Sequence, residues 1–158
     1  MRELDTNGLR LVEFQGKLFE ESVIRFECST KVFLRRFFYS DLLVTLDKND
    51  SSLISFSLEE SFQSIEAQFG KSSYGKDKWN SNVLFWIGFI YRYIAFTRDV
   101  ETKFIMKLFE PDMLKNLYYA YHTQNNEWVV ENLLSLRNVD EKVFDKNYRL
   151  LNSLKLLV

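Results

Sequence analysis

Apolar residues recur at three- and four-residue intervals along most of the chain, the spacing typical of amphipathic helices. Only one Pro and five Gly occur, so few positions would interrupt a helix. No internal repeat or low-complexity tract divides the sequence. We therefore predict an all-α fold, a compact bundle of about seven or eight helices around an aromatic-rich central helix, forming one domain over residues 1–158.

The first predicted helix covers residues 9–27, where two adjoining apolar stripes require a broad buried face. Ser29 or Thr30 can cap the second helix, and Ser40-Asp41 either interrupts that helix or starts a new one. Residues 53–56 could form a short extended piece.

The third predicted helix runs from residue 58 to residue 69. Ser57 and Glu60 fit the S-x-x-E capping box, and Gly70 suits a left-handed C-terminal cap. The polar residues 71–78 that follow are the best candidate for a long loop.

The central helix should begin at Asn80 or Ser81 and end near Arg98. Its apolar run, residues 83–96, is interrupted by Arg92 and is shorter than the ~20 residues that cross a bilayer. We interpret it as a buried helix and expect no membrane contact.

Three further helices are predicted before the C-terminal one. The first is marked by Val100, Phe104 and Leu108. The second begins at Pro111 and carries Leu114, Leu117, Tyr118 and Tyr121, and the third carries Val129, Leu133 and Leu136. A final helix is predicted over Asp140 to Val158. Its six large aliphatic residues between 150 and 158 favour docking on its own domain, with a partner or a second copy of the chain as the alternative.

The net charge of −1 argues against a nucleic-acid role, although a local patch stays possible. Cys28 is the only cysteine, which excludes an intramolecular disulfide and a multi-cysteine zinc site. The N-terminal residues contain no signal-peptide-like apolar run. We expect a cytoplasmic protein that uses no cofactor.

Gly70-Lys71-Ser72 is similar to the end of a phosphate-binding P-loop, but that motif requires a Gly where this chain has Ile65. The tripeptide also follows a predicted helix, so a helix cap and loop is the preferred interpretation. The loop could still contact an anion, a partner or nucleic acid, since basic residues surround an aromatic ring. Such a site would use Lys71, Tyr74, Lys76 and Lys78, with Arg35 and Arg36.

Arg92 is the clearest anomaly, because it lies within a run of aromatic and aliphatic residues. Helical spacing aligns it with Ser81, Gly88 and Ala95, a stripe of small residues that another helix or a ligand could approach closely. A desolvated Arg needs a compensating partner. An internal ion pair is preferred; emergence at the surface and contact with an anionic ligand remain alternatives.

His122 is the only histidine, and no activated nucleophile or orienting carboxylate can be assigned to it from spacing. A structural position near a helix C-terminus is preferred. Cys28 at a helix entrance could have a favoured thiolate, but a buried, inert thiol is the simpler interpretation. Core packing and interface contacts are likewise preferred for Tyr91, Tyr93, Tyr118, Tyr119 and Tyr121.

Four segments together resemble an uncharacterised family of small bacterial proteins: VFLRRF (32–37), SIEAQFGKSSYG (64–75), LFWIGFIYRYIAFTR (84–98) and LYYAYHTQNNEW (117–128). The resemblance covers roughly residues 10–150. It implies proteins encoded near ADP-ribosyltransferase-like toxin genes, and hence an antitoxin or accessory role. It brings no catalytic pattern with it.

The leading hypothesis is a non-catalytic protein that binds a protein partner, as an antitoxin or immunity-like component. The alternative is a small nucleotide-binding protein or enzyme with Arg92, Arg98, Tyr121 and His122 in one pocket. The candidate binding residues are Arg92, Arg98, Tyr118, Tyr121, His122, Lys71, Tyr74 and Lys76.

Overall fold

The structure is a computed structural model that describes the backbone of residues 1–156 and the side chains of residues 1–154. Within that part of the chain all regular structure is helical, with nine α-helices and two 3₁₀ turns. The α-helices are α1 (Thr6–Arg25), α2 (Thr30–Phe38), α3 (Asp41–Leu46), α4 (Leu58–Phe69), α5 (Ser81–Arg98), α6 (Thr102–Leu108), α7 (Pro111–Tyr121), α8 (Asn126–Leu136) and α9 (Lys146–Leu156). The 3₁₀ turns are Ser51–Leu53 and Glu141–Phe144. The predicted all-α class is confirmed.

The described residues form more helices than the seven or eight predicted, and Ser40 accounts for one of the additional ones. Its hydroxyl accepts a hydrogen bond from the backbone N–H of Leu43 at 3.1 Å, which caps α3 as a helix separate from α2. The prediction of an extended piece at residues 53–56 is wrong, because neither its first nor its last residue has an extended backbone. Leu53 closes the first 3₁₀ turn, and Phe56 has a left-handed backbone with φ of +57°.

Helix α4 has the predicted bounds, and one half of its capping box forms. The Ser57 hydroxyl accepts from the backbone N–H of Glu60 at 3.2 Å, but the Glu60 carboxylate bonds Ser55 instead of returning to Ser57. Gly70 ends the helix with φ of +81°, and its N–H donates to the carbonyl of Glu66 at 2.7 Å.

The centre of the fold is the pair α1 and α5, which pack along each other. Their closest approach is at Gly88, where a Cβ atom would lie 2.6 Å from the Gln15 carbonyl oxygen and 2.7 Å from Cγ of Phe19. The small-residue stripe on α5 therefore accommodates the backbone of α1. The expected buried central helix is confirmed, and none of the described helices has both the length and the apolarity to cross a membrane.

Aromatic rings fill the space between this pair and α2. The Phe19 ring meets the rings of Phe33 and Phe37 edge-on, with centroids 5.5 and 4.8 Å apart. Phe38 meets Tyr91 of α5 in the same way at 5.6 Å. Edge-to-face packing is favoured by the quadrupoles of the rings. The aromatic-rich core expected from the composition is thus present.

The C-terminal segment differs from its prediction as one continuous helix docked on the domain. Residues 141–144 form a 3₁₀ turn that buries Phe144, and Asp145 then caps a new helix by accepting from the backbone N–H of Asn147 at 2.7 Å. The break separates buried Phe144 from the leucines of α9. Leu150, Leu151 and Leu154 remain 61%, 58% and 52% exposed, so docking of these leucines on their own domain is wrong. The side chains of residues 155–158 lie outside the described part.

Candidate functional site

Arg92 is completely buried and has five hydrogen-bond acceptors around its guanidinium. Nη1 lies 2.9 Å from the Asp47 carboxylate, and Nε lies 2.9 Å from the Gln15 side-chain oxygen. Burial lowers the pKa of Arg92, and the Asp47 carboxylate opposes that shift. The remaining acceptors are the Leu46 carbonyl, the Asn49 side chain and the Thr102 hydroxyl.

The predicted internal ion pair of Arg92 is therefore confirmed. The acceptors come from α1, from α6 and from the end of α3 with the turn that follows, so one charge on α5 joins three other parts of the fold. A guanidinium with this set of partners is a structural group, since its donors are already directed at the protein.

Arg98 ends α5 and is held by two carboxylates. Its Nη2 lies 2.7 Å from Glu127 of α8, and its Nε lies 2.8 Å from Glu141. Burial acts to lower the pKa of Arg98, but the hydrogen bonds to Glu127 and Glu141 outweigh it and raise the pKa. The hydroxyl of Tyr93 also donates to Glu127. Burial is the main cause and this hydrogen bond the second cause that raise the pKa of Tyr93 to about 12. This group ties α5 to α8 and to the second 3₁₀ turn.

His122 is exposed at the C-terminal end of α7, the position preferred for it. Its Nδ1 lies 2.7 Å from the Tyr118 carbonyl oxygen, and its ring stacks on that of Tyr118 with centroids 4.1 Å apart. Tyr118 in turn contacts Trp86, whereas Tyr121 is buried against Trp128.

The structure does not bring Arg92, Arg98, Tyr121 and His122 into one pocket, so that prediction is wrong. Arg92 is enclosed by α1, α3 and α6, while His122 faces solvent beyond α7. The nucleotide-binding or enzymatic hypothesis built on the four residues loses its geometric basis. Helical periodicity identified which residues share a face, but not which neighbouring helix covers it.

The loop over residues 70–80 is fixed to the start of α2. The backbone N–H of Ser29 donates to the Tyr74 carbonyl at 3.0 Å, and that of Thr30 donates to the Asp77 carbonyl at 3.0 Å. Gly75 has φ of +79° and presses on Ser29, leaving no room for a Cβ. The predicted exposed loop is confirmed, and Gly70-Lys71-Ser72 follows a helix as the helix-cap interpretation requires.

The basic residues of this loop do not act as one patch. Lys78 donates to the backbone carbonyl oxygens of Val23 and Phe26 at the end of α1, 2.7 and 2.5 Å away. Lys71, Tyr74 and Lys76 are exposed, Tyr74 by 77%. Nucleic-acid binding by this loop stays a prediction, with Lys78 already satisfied by the protein.

A cavity of about 290 Å³ lies between the end of α1, the start of α2, α4 and the 70–80 loop. Its lining residues are Arg25, Phe26, Glu27, Cys28, Phe33, Arg36, Ile65, Glu66, Gly70, Lys71, Ser72 and Ser73. Cys28 is buried as expected, and its burial raises the pKa of the thiol, which opposes a reactive thiolate.

Sequence reasoning singled out Lys71 but did not associate Arg25 with a cavity. Arg25 lies 2.9 Å from the Glu59 carboxylate and also pairs with Glu66, so two residues more than 30 positions away hold it. These contacts raise the pKa of Arg25, with the hydrogen bond to Glu59 as the largest cause. No local spacing rule could have revealed such long-range partners.

Comparison with known proteins gives no further guide to the site. No family model matches the chain, and neither the curated proteins nor the solved structures contain a significant match. The resemblance to a toxin-associated family stays a prediction. The assignment of function depends on the surfaces described above.

Proposed function

We propose that this protein acts by binding another protein through α9, and the exposed leucines of that helix carry the proposal. Leu150 and Leu151 lie four and three positions before Leu154, so both adjoin it and the three form one contiguous apolar face. Tyr148 is a further exposed apolar residue on the same helix. Clustered exposed leucines of this kind are typical of helices that fit into a groove of a partner.

The first turns of α9 are attached to the domain, which would present the leucines in a defined direction. Arg149 donates from Nη1 to the Val143 carbonyl at 3.0 Å, and its guanidinium lies 4.3 Å from the centre of the Phe104 ring. A helix fixed at its base loses less freedom on binding than a free tail would. This attachment supports a role in recognition.

The charge of the segment favours one kind of partner. Residues 146–158 contain Lys146, Arg149 and Lys155 and no Asp or Glu. A second copy of the chain docking through this segment would bring like charges together, which is unfavourable. We therefore infer an apolar groove with an acidic rim as the surface that α9 binds.

In the version implied by the family resemblance, the partner is a toxin encoded beside this protein. Binding of α9 to a groove of the toxin would neutralise it by steric occlusion.

The test is co-expression of the full chain with the products of neighbouring genes, followed by measurement of complex formation and of growth. The variant Leu150→Asp/Leu154→Asp should abolish both the complex and any protection. Ile24→Asp is the matched control, because Ile24 is an 86% exposed apolar residue on a different helix. It should leave the complex intact.

Salt should weaken the complex, since charges at the rim are screened. Failure of every neighbouring product to bind, or a complex unaffected by the double substitution, would overturn the proposal. Two other outcomes would also count against it: self-association that the leucine substitutions remove, and cosedimentation with vesicles rich in phosphatidylserine that depends on the same leucines.

A further inference from the structure

The cavity between α1, α2, α4 and the 70–80 loop combines an apolar base with charged walls, on which three cations stand beside two carboxylates. Phe26, Phe33, Ile65 and Cys28 are all buried and contribute the apolar part. A site of this composition encloses the body of a ligand in apolar contact and orients it by a few polar groups. Its volume of about 290 Å³ matches the small end of known ligand sites.

The charges around the cavity are unequally compensated. Arg25 is paired with two carboxylates, Glu59 and Glu66, so its charge is more than compensated. Over the described residues, neither Arg36 nor Lys71 has a carboxylate within 4.0 Å. Two cations at one opening therefore lack an anionic partner.

Arg36 is oriented by the protein without being neutralised. It donates from Nη1 to the Gly70 carbonyl oxygen, and its guanidinium lies 5.8 Å from the centre of the Phe69 ring. A carbonyl fixes direction but supplies no full negative charge. Nε and Nη2 retain donors for an incoming oxygen. Glu27, also at the wall, is exposed, as is Lys71, so solvent screens both of these charges.

We propose that this cavity binds a small anion with an apolar body, a ring or short aliphatic group bearing one phosphate or carboxylate. The body lies against Phe26, Phe33 and Ile65, and the anionic group bonds Arg36 and Lys71. Ser72 and Ser73 supply further hydroxyls at the same wall. This site is separate from α9 and does not depend on the proposed protein partner.

A second cavity allows the charges that line the two cavities to be compared. It has a volume of about 560 Å³ and lies between α3 and α6, so it is the larger of the two. Its walls carry acids and bases together: Asp41, Asp47, Asp99 and Glu101 beside Lys48, Lys103 and Lys146. Four acids there outnumber three bases, which disfavours an anion. In the smaller cavity three bases stand beside two acids, so the smaller cavity is the better-defined site for an anion.

Phenyl phosphate is a suitable probe, since it joins an aromatic ring to a phosphate. Calorimetry on the full chain should show saturable binding of one molecule per chain, at least about tenfold tighter than phenol or inorganic phosphate alone. Lys71→Gln and Arg36→Gln should each weaken binding by about tenfold. Lys76→Gln is the matched control, because Lys76 is exposed on the same loop outside the cavity, and it should leave affinity unchanged.

Cys28 reports directly on occupancy, because it is the only cysteine and lines the cavity. Saturating phenyl phosphate should slow alkylation of Cys28 by iodoacetamide several-fold, and the protection should be clearly smaller in Lys71→Gln at the same concentration. Arg36 also contacts Gly70, so the affinity of Arg36→Gln is compared with that of the parent chain only if the two melting temperatures agree. Lys71 is exposed, so Lys71→Gln gives the decisive comparison. No binding at millimolar probe, affinity indifferent to Lys71, or unprotected Cys28 would overturn the assignment.

Discussion

Helices α5 and α9 both carry apolar stripes in the sequence, but the structure treats them in opposite ways. The stripes of α5 are covered by α1 and by aromatic residues of α2, and even its arginine is enclosed with acceptors. The leucines of α9 face solvent beyond a capped turn. An apolar stripe therefore identifies a surface that favours burial, whereas the element that covers it depends on long-range packing.

The largest effect should come from removing the charge at the centre of α5. Arg92→Met leaves the Asp47 carboxylate and the buried side chains of Gln15 and Asn49 without their shared donor. We expect a loss of about 3–5 kcal/mol in the free energy of unfolding, measured by urea denaturation. Arg35→Met is the control, because Arg35 is exposed on α2, and it should change stability by less than about 0.5 kcal/mol. Equal losses in the two variants would contradict a special role for the Arg92 network.

The contact of α1 with α5 can be tested by two Gly→Ala substitutions. In Gly88→Ala the new methyl group would lie 2.6 Å from the Gln15 carbonyl oxygen. This oxygen belongs to the backbone of α1, so relieving the clash requires the two helices to move apart. We expect a loss of about 1–3 kcal/mol. In Gly16→Ala the methyl meets only the ring of half-buried Phe85, 2.8 Å away, which can turn aside. Because Ala favours helix, Gly16→Ala should be close to neutral, and matching thermal denaturation curves for both variants would refute the close approach.

A smaller loss of stability is expected at the C-terminal end of α5, where Arg98 pairs with Glu127. The hydrogen bond from Arg98 is the main cause that lowers the pKa of Glu127, against the effect of burial. The stabilisation is therefore present above the unfolded pKa near 4.5 and lost as pH falls through the lower folded pKa. Glu127→Gln should lose about 1–2 kcal/mol at pH 7 and show a weaker decline of stability below pH 4.5. An unchanged acid decline in a urea series would exclude this carboxylate as its source.

Local signals in the sequence predicted most of the helices. Ser57, Asn80 and Pro111 each mark a helix start, and the structure places α4, α5 and α7 accordingly. The buried state and ion pairing of Arg92 also followed from its apolar neighbours.

The cavity and the exposed face could not be obtained in the same way. Arg25 meets Glu66 and Arg36 meets Gly70 across the fold, and no short-range spacing encodes those pairs. The break at Asp145 interrupted a periodic pattern that continues in the sequence, because a side-chain cap there competes with the helix. Beyond that capped turn the leucines are exposed.

The smallest change in stability is expected from the exposed leucines of α9. If the α9 face is a binding surface and not a part of the core, Leu150→Asp/Leu154→Asp should alter the free energy of unfolding in urea by no more than about 0.5 kcal/mol. The denaturant dependence should also stay the same, since the same surface is exposed on unfolding. A loss of several kcal/mol would mean that these leucines are buried on their own domain and would contradict the account.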